Sequence, residues 1–229
     1  MEIKKKICPP GLKTNPNKKM TAIEYITIHE TGNYNTSSNA ENHATYQYNG
    51  GGDRTASWHY TVDEQFIWQS YEDYSLLWHT GTTAGNNTSI GIEICVNNKA
   101  NFLKACDNTA WLTAYLLRQH GLTIKQIRQH YDWSGKQCPA EIRKGSWGVT
   151  WPGFINLVGQ YLTSMAAGPS AGEERSRSSI SVTLPVPTKV YNPSVIIYRV
   201  QLGAYANRAN AEQALSNAKA AGFKDAFIF

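Results

Sequence analysis

No apolar run in this 229-residue chain approaches the roughly 20 residues that a membrane-spanning helix needs, so membrane insertion is not expected. The basic start, Met1-Glu2-Ile3-Lys4-Lys5-Lys6, is followed by no apolar stretch, and no secretory signal is read there. Cysteine is sparse. Cys8, Cys95, Cys106 and Cys138 are widely spaced and include no Cys-x-x-Cys pair, which argues against a disulfide framework and against a closed structural zinc site. No stretch gathers Lys and Arg on one helix face, and no nucleic-acid-binding motif is present, so nucleic acid is not an expected partner. The net charge of +5 is dispersed apart from short clusters at Lys4–Lys6 and Lys18–Lys19. A solvated surface is the simplest reading of these charges, with weak attraction to an anionic polymer as the alternative.

What remains is an ordinary globular composition, 41% hydrophobic, long enough for one full core and a small second unit. Tyr25–His29, Trp58–Val62, Phe66–Gln69 and Ser89–Val96 are short and rich in Ile, Val and aromatics, as strands are, and Asp63-Glu64 suits a hairpin turn between the second and third. Ala40–Tyr48 reads as a helix. Asp107 to His120 is the clearest one: Asp107 or Asn108 can cap its start, Ala110, Ala114 and Leu117 share a stripe, and Gly121 stops it. A last helix is expected from about Pro152 to Ser164, with Phe154, Leu157, Val158 and Tyr161 on one face. The fold class expected is α/β, a mixed central sheet flanked by helices.

Composition changes near residue 165. Residues 166–194 carry Gly168-Pro169-Ser170, a charged run from Glu173 to Arg177, and Pro185, Pro187 and Pro193, which read as a linker. Order returns at residues 195–229 as a short β-α-β unit: an apolar strand from Val195, a helix over Ala209–Ala221, then the apolar Ala226–Phe229. Residues 1–165 are thus expected to form the main domain.

Three residues carry most of the chemistry: His29, His130 and Cys138. Taken singly, a histidine is usually a surface or hydrogen-bonded residue, and a cysteine a small buried hydrophobe. Their joint context matters more. His29 ends an apolar strand, while His130 and Cys138 lie in the turn-rich stretch His130–Pro139. Imidazole and thiolate are preferred zinc donors, and three protein ligands leave a fourth position for water. That set points to a hydrolytic zinc rather than a structural one.

With Tyr25–Thr31, Ser57–Asp63, Ser89–Val96 and Gln129–Pro139 in this order, residues 1 to about 163 resemble the zinc N-acetylmuramoyl-L-alanine amidases of phage endolysins, bacterial autolysins and peptidoglycan recognition proteins. The segment Arg199–Tyr205, with Asn210-Ala211-Glu212 downstream, resembles the start of a SPOR domain, a peptidoglycan-glycan binder, of which only about one strand-helix-strand unit is present. Peptidoglycan is the partner these resemblances imply, acted on in the bacterial cell wall after release from the cytoplasm. The tail unit is expected to assist wall binding or self-association.

Hydrolysis of an amide needs a base for the water's proton and a donor for the oxyanion. Glu93, in Ile90-Gly91-Ile92-Glu93-Ile94, is the candidate base, since the acid of this strand faces the metal in the resembling family; the competing reading is a carboxylate on a solvated strand face. Lys136, two residues before Cys138, is the candidate oxyanion partner, against a plain surface lysine. His79, in Leu-Trp-His-Thr-Gly, is a candidate for substrate contact, and a fourth zinc ligand there would close the site. Trp58 is a candidate for stacking on substrate, with core packing or loop anchoring weighing equally. His59 reads as cleft-facing or structural, His43 and His120 as ordinary helix residues, and Cys95 as core. The alternative function is a non-catalytic peptidoglycan-binding module; such members typically lose the cysteine ligand, which is present here. A zinc peptidase acting within the stem peptide is a third, chemically close reading.

Overall fold

The computed structural model describes residues 1–166 together with 212, 215 and 216. Six strands form one sheet: β1 (Ile3–Lys5), β2 (Tyr25–Glu30), β3 (Tyr60–Val62), β4 (Ile67–Gln69), β5 (Ser89–Ile94) and β6 (Ile127–Gln129), in the spatial order β1-β4-β3-β5-β2-β6. Only β3 and β4 are antiparallel. Asp63 makes their turn, its Oδ1 accepting the N–H groups of Gln65 and Phe66. The helices are α1 (Ala40–Tyr48), α2 (Thr83–Thr88), α3 (Phe102–Gln119), α4 (His130–Ser134), α5 (Ala140–Lys144) and α6 (Trp151–Ala166). The mixed sheet flanked by helices is as expected.

The sheet's two faces differ because β2 and β5 alternate. Ile26, Ile28, Ile90, Ile92 and Ile94 are fully buried and pack in one core with Phe102, Leu112, Leu116, Phe154 and Val158 of α3 and α6. The intervening residues Thr27 and His29 on β2, and Ser89, Gly91 and Glu93 on β5, turn to the opposite face. Polar chemistry is thereby gathered on one side of the sheet, backed by an apolar core on the other.

Several expectations need correction. The long helix begins at Phe102, not near Asp107, because Phe102, Ala105 and Cys106 are all buried and extend its apolar stripe by more than a turn. Asp107 caps nothing there; its carboxylate accepts from Lys104 Nζ and Tyr161 Oη, tying α3 to α6. His120 is not an ordinary helix residue but the C-cap of α3, with Nε2 2.8 Å from Asp73 Oδ2. The turn-rich stretch His130–Pro139 opens with the short helix α4, directly after β6, and Cys138 lies in the loop between α4 and α5. The three-residue edge strands β1 and β6 were not expected, being too short for alternation to register. Cys95 and Cys106 are core residues, and Cys8 packs with Tyr71 and Leu77 in a separate small cluster.

The chain divides into two compact units, Met1–Glu174 and Arg175–Phe229. The expected linker and tail strands lie outside the described residues. Among the described residues, no helix is long and apolar enough to cross a membrane.

Candidate metal centre

One row across the polar face brings the site together. His29 is aligned with Glu93 on one side, and Thr61 with Glu93 beyond it. Ile28 pairs with Gln129, so His130, the next residue, comes level with His29. Cys138 reaches the same point from the α4–α5 loop. The ligand atoms of His29, His130 and Cys138 all lie within 4.8 Å of one another, and all three residues are buried. His29 Nδ1 is 2.9 Å from His130 Nδ1 and 3.9 Å from Cys138 Sγ. A tetrahedral zinc with ordinary bond lengths would set these separations at about 3.3 and about 3.6 Å. The three residues could hold a metal ion.

Hydrogen bonds decide which ring nitrogens are bare. His79 Nε2 lies 3.1 Å from the Ser89 carbonyl, which can only accept, so Nε2 carries the proton and His79 Nδ1 is an acceptor. His29 Nε2 lies 3.0 Å from that acceptor and must donate to it, leaving His29 Nδ1 without a proton. His130 Nδ1 faces that bare nitrogen at 2.9 Å. In the metal-free chain a proton on His130 Nδ1 can bridge the pair, and a cation in its place is within reach of both nitrogens. Cys138 Sγ accepts the backbone N–H of Glu30 at 3.4 Å, a contact that favours thiolate.

Burial, followed by the neighbouring imidazoles of His79 and His130, holds His29 well below the usual histidine range. Burial and then Lys136 bring His130 down to about 4. Burial pushes the Cys138 thiol up to about 12, with Glu93 adding to it while the Glu30 N–H and Lys136 oppose it. A bound cation would reverse that preference, since ligation requires the thiolate. Burial raises Glu93 to about 8, with Lys136 opposing and Glu30 reinforcing the rise. Glu93 Oε2 is sealed from solvent without a hydrogen-bond partner. Lys136 is exposed on the ligand loop, close enough for its charge to act on both histidines, Cys138 and Glu93.

The other candidates sit differently. Both ring nitrogens of His79 are engaged, so it supports His29 and offers no free nitrogen to a substrate or to a metal. Its loop is held by Asn86, whose Oδ1 accepts from the backbone of His79 and Thr80. His59 is structural: Nδ1 accepts the Gly91 N–H and Nε2 donates to the Ser75 carbonyl. Trp58 is half-buried, edge-on to His43, and donates from Nε1 to Thr61 Oγ1, which anchors it on the same row as Glu93.

Gly91 is a residue whose importance the sequence only hinted at, through a glycine inside an apolar strand. A Cβ there would stand 2.7 Å from His79 Nδ1. Gly91→Ala is therefore expected to push the His79 ring away from His29 and weaken metal affinity by roughly 10- to 100-fold, the scale for losing a ligand's hydrogen-bond partner. Competition with a chelator measures it; unchanged affinity would mean that His79 does not orient His29.

A family model for N-acetylmuramoyl-L-alanine amidases matches residues 19–141, and a SPOR domain model matches residues 183–229, reaching back into the stretch read as linker. Two curated amidases of Bacillus subtilis (strain 168) are similar. XlyA is 38% identical over 153 residues, covering 66% of this chain and 49% of its own length. CwlH is 35% identical over 159 residues, covering 68% and 60%. The chain thus spans about half to three-fifths of the length of these two relatives. Among solved structures, the catalytic domain of XlyA superposes with a TM-score of 0.63 at 36% identity, covering 69% of this chain and 99% of that one. PlyL gives 0.60 at 32% identity, covering 69% and 97%.

Proposed function

Since the chain belongs to the N-acetylmuramoyl-L-alanine amidase family, we propose that it is a peptidoglycan hydrolase that cleaves the amide between N-acetylmuramic acid and the L-alanine of the stem peptide, using zinc. The observation that carries this reading is the convergence of His29 Nδ1, His130 and the Cys138 thiol, their ligand atoms all within 4.8 Å of one another, with Glu93 Oε2 unpartnered on the adjoining strand.

His29, His130 and Cys138 would hold the ion, and an N₂S donor set with an open fourth position suits catalytic zinc. Such an ion, when bound, acidifies a water and polarises a carbonyl. His79 orients His29, and the Glu30 N–H steadies the sulfur. Glu93 takes a proton from the attacking water and returns it to the leaving amine. A carboxyl placed near neutrality by burial suits both halves of that exchange. Lys136, projecting from the ligand loop, faces the negative charge that develops on the substrate carbonyl oxygen. Trp58 is assigned to substrate contact on the far side of Glu93. Residues 1–165 carry this activity, and the segment after the linker is assigned to wall binding or self-association.

Digestion of sensitive walls should release new L-alanine amino termini without new reducing sugar ends, because glycan cleavage would call for two carboxylates flanking a glycosidic bond. Amino-group labelling and mass spectrometry of the products check this. Fragments that keep muramic acid joined to L-alanine while the stem is cut further along would refute the assignment.

A further inference from the structure

Glu30 follows the ligand His29 directly and touches the ligand Cys138 and the helix beyond it. Its backbone N–H reaches Cys138 Sγ at 3.4 Å. Its carboxylate, only 8% exposed as a residue, accepts the N–H of Glu141 on Oε2 at 2.8 Å and of Ile142 on Oε1 at 3.0 Å. These amides open α5, whose N-cap is Pro139 and carries no side-chain cap bond of its own. Helix-start N–H groups left without partners in a buried setting are costly, and here a carboxylate from a distant strand supplies the missing acceptor.

The consequence concerns the metal loop. Gly135, Lys136 and Gln137 are all exposed, so little packing fixes the segment that delivers Cys138. On its far side the chain enters α5, and Glu30 pins that entry to the end of β2. His29 and Cys138 lie 109 residues apart in sequence. Through Glu30 they become parts of one rigid block, joined on one side by a peptide bond and on the other by three hydrogen bonds.

We propose that Glu30 is a positioning residue of the metal centre, setting the Cys138 sulfur at its working distance from His29. The inference rests on reading His29, His130 and Cys138 as ligands. Its rival is a helix cap that stabilises α5 and nothing more.

The test uses the full chain and zinc itself, with affinity measured by competition against a chromophoric chelator. Glu30→Gln keeps the shape but replaces one accepting oxygen with an NH₂ group that faces a backbone N–H. It should weaken zinc binding by about 10- to 100-fold, the range for a residue that orients a ligand. In the cobalt-substituted protein, the thiolate-to-cobalt charge-transfer band should shift or weaken. Asn39→Ala is the control, since Asn39 caps α1 by accepting the Asn42 N–H and its cap bond involves none of the three ligands. It should lower the melting temperature with zinc affinity and cobalt spectrum unchanged. Zinc affinity within about twofold of the parent in Glu30→Gln, with a lowered melting temperature, would identify a helix cap only and overturn the proposal. Should Glu30→Gln fail to fold, Glu30→Asp, which keeps the charge but shortens the reach, is measured against the same two outcomes. Parent protein that binds no zinc would instead remove the ligand reading; parent binding that Cys138→Ser loses and Glu30→Gln keeps would remove only this inference.

Discussion

Cys138→Ser is expected to lose zinc and, with it, all wall-cleaving turnover. The sulfur is the one donor of the three that can bring a negative charge, and serine's hydroxyl stays neutral at working pH. The serine oxygen is also the smaller atom on the same stem, so it falls short of the point that His29 and His130 address. Loss of a direct ligand should exceed the roughly 100-fold penalty typical of an outer partner. Zinc per chain after dialysis, read by elemental analysis, is the measurement. Full occupancy in the variant would show that Cys138 is no ligand. His29→Ala should behave likewise, with a further cost, because His79 Nδ1 would lose its donor in a buried setting.

Glu93→Gln should cut turnover by about 10²- to 10⁴-fold while zinc stays bound, since the residue is assigned to proton transfer and touches no ligand through a hydrogen bond. Lys136→Ala should have the smaller effect of removing one exposed charge facing the transition state. A Glu93→Gln protein that loses zinc would make Glu93 a ligand and unseat the mechanism. The same variant carries a stability signature. In the metal-free chain, burial lifts Glu93 from the ordinary carboxylate range to about 8. Between those values the unfolded chain is ionised while the folded chain holds its proton, so the folded state binds more protons and loses stability as pH rises. Glu93→Gln removes that penalty. The metal-free variant should therefore gain melting temperature over the parent at pH 8, and gain much less at pH 5.

Much of this was legible before the fold. The alternation in Ser89–Ile94 showed a strand with one apolar face, and it sends Glu93 to the same side as His29 because the two residues stand in register. The start of α3 was not legible. Asp107 looks like a cap from its neighbours alone, but burial of Phe102 and Ala105 outweighs that local preference. The bonding of His79 was not legible for a similar reason: a histidine in a Trp-His-Thr-Gly loop gives no sign that a carbonyl on β5 and His29 on β2 will take both its nitrogens.

The sequence by itself picked out the candidate donors, the strands that deliver two of them and the class of reaction they suit, because residue chemistry and side-chain periodicity are local properties. Tertiary structure alone decided the protonation pattern and the sulfur's position. Which nitrogen of His29 is bare depends on His79, 50 residues away, and where Cys138 sits depends on Glu30, 108 residues away. Hydrogen bonds between such distant groups exist only after the chain has packed, and they are what gathers three suitable side chains into a candidate metal centre.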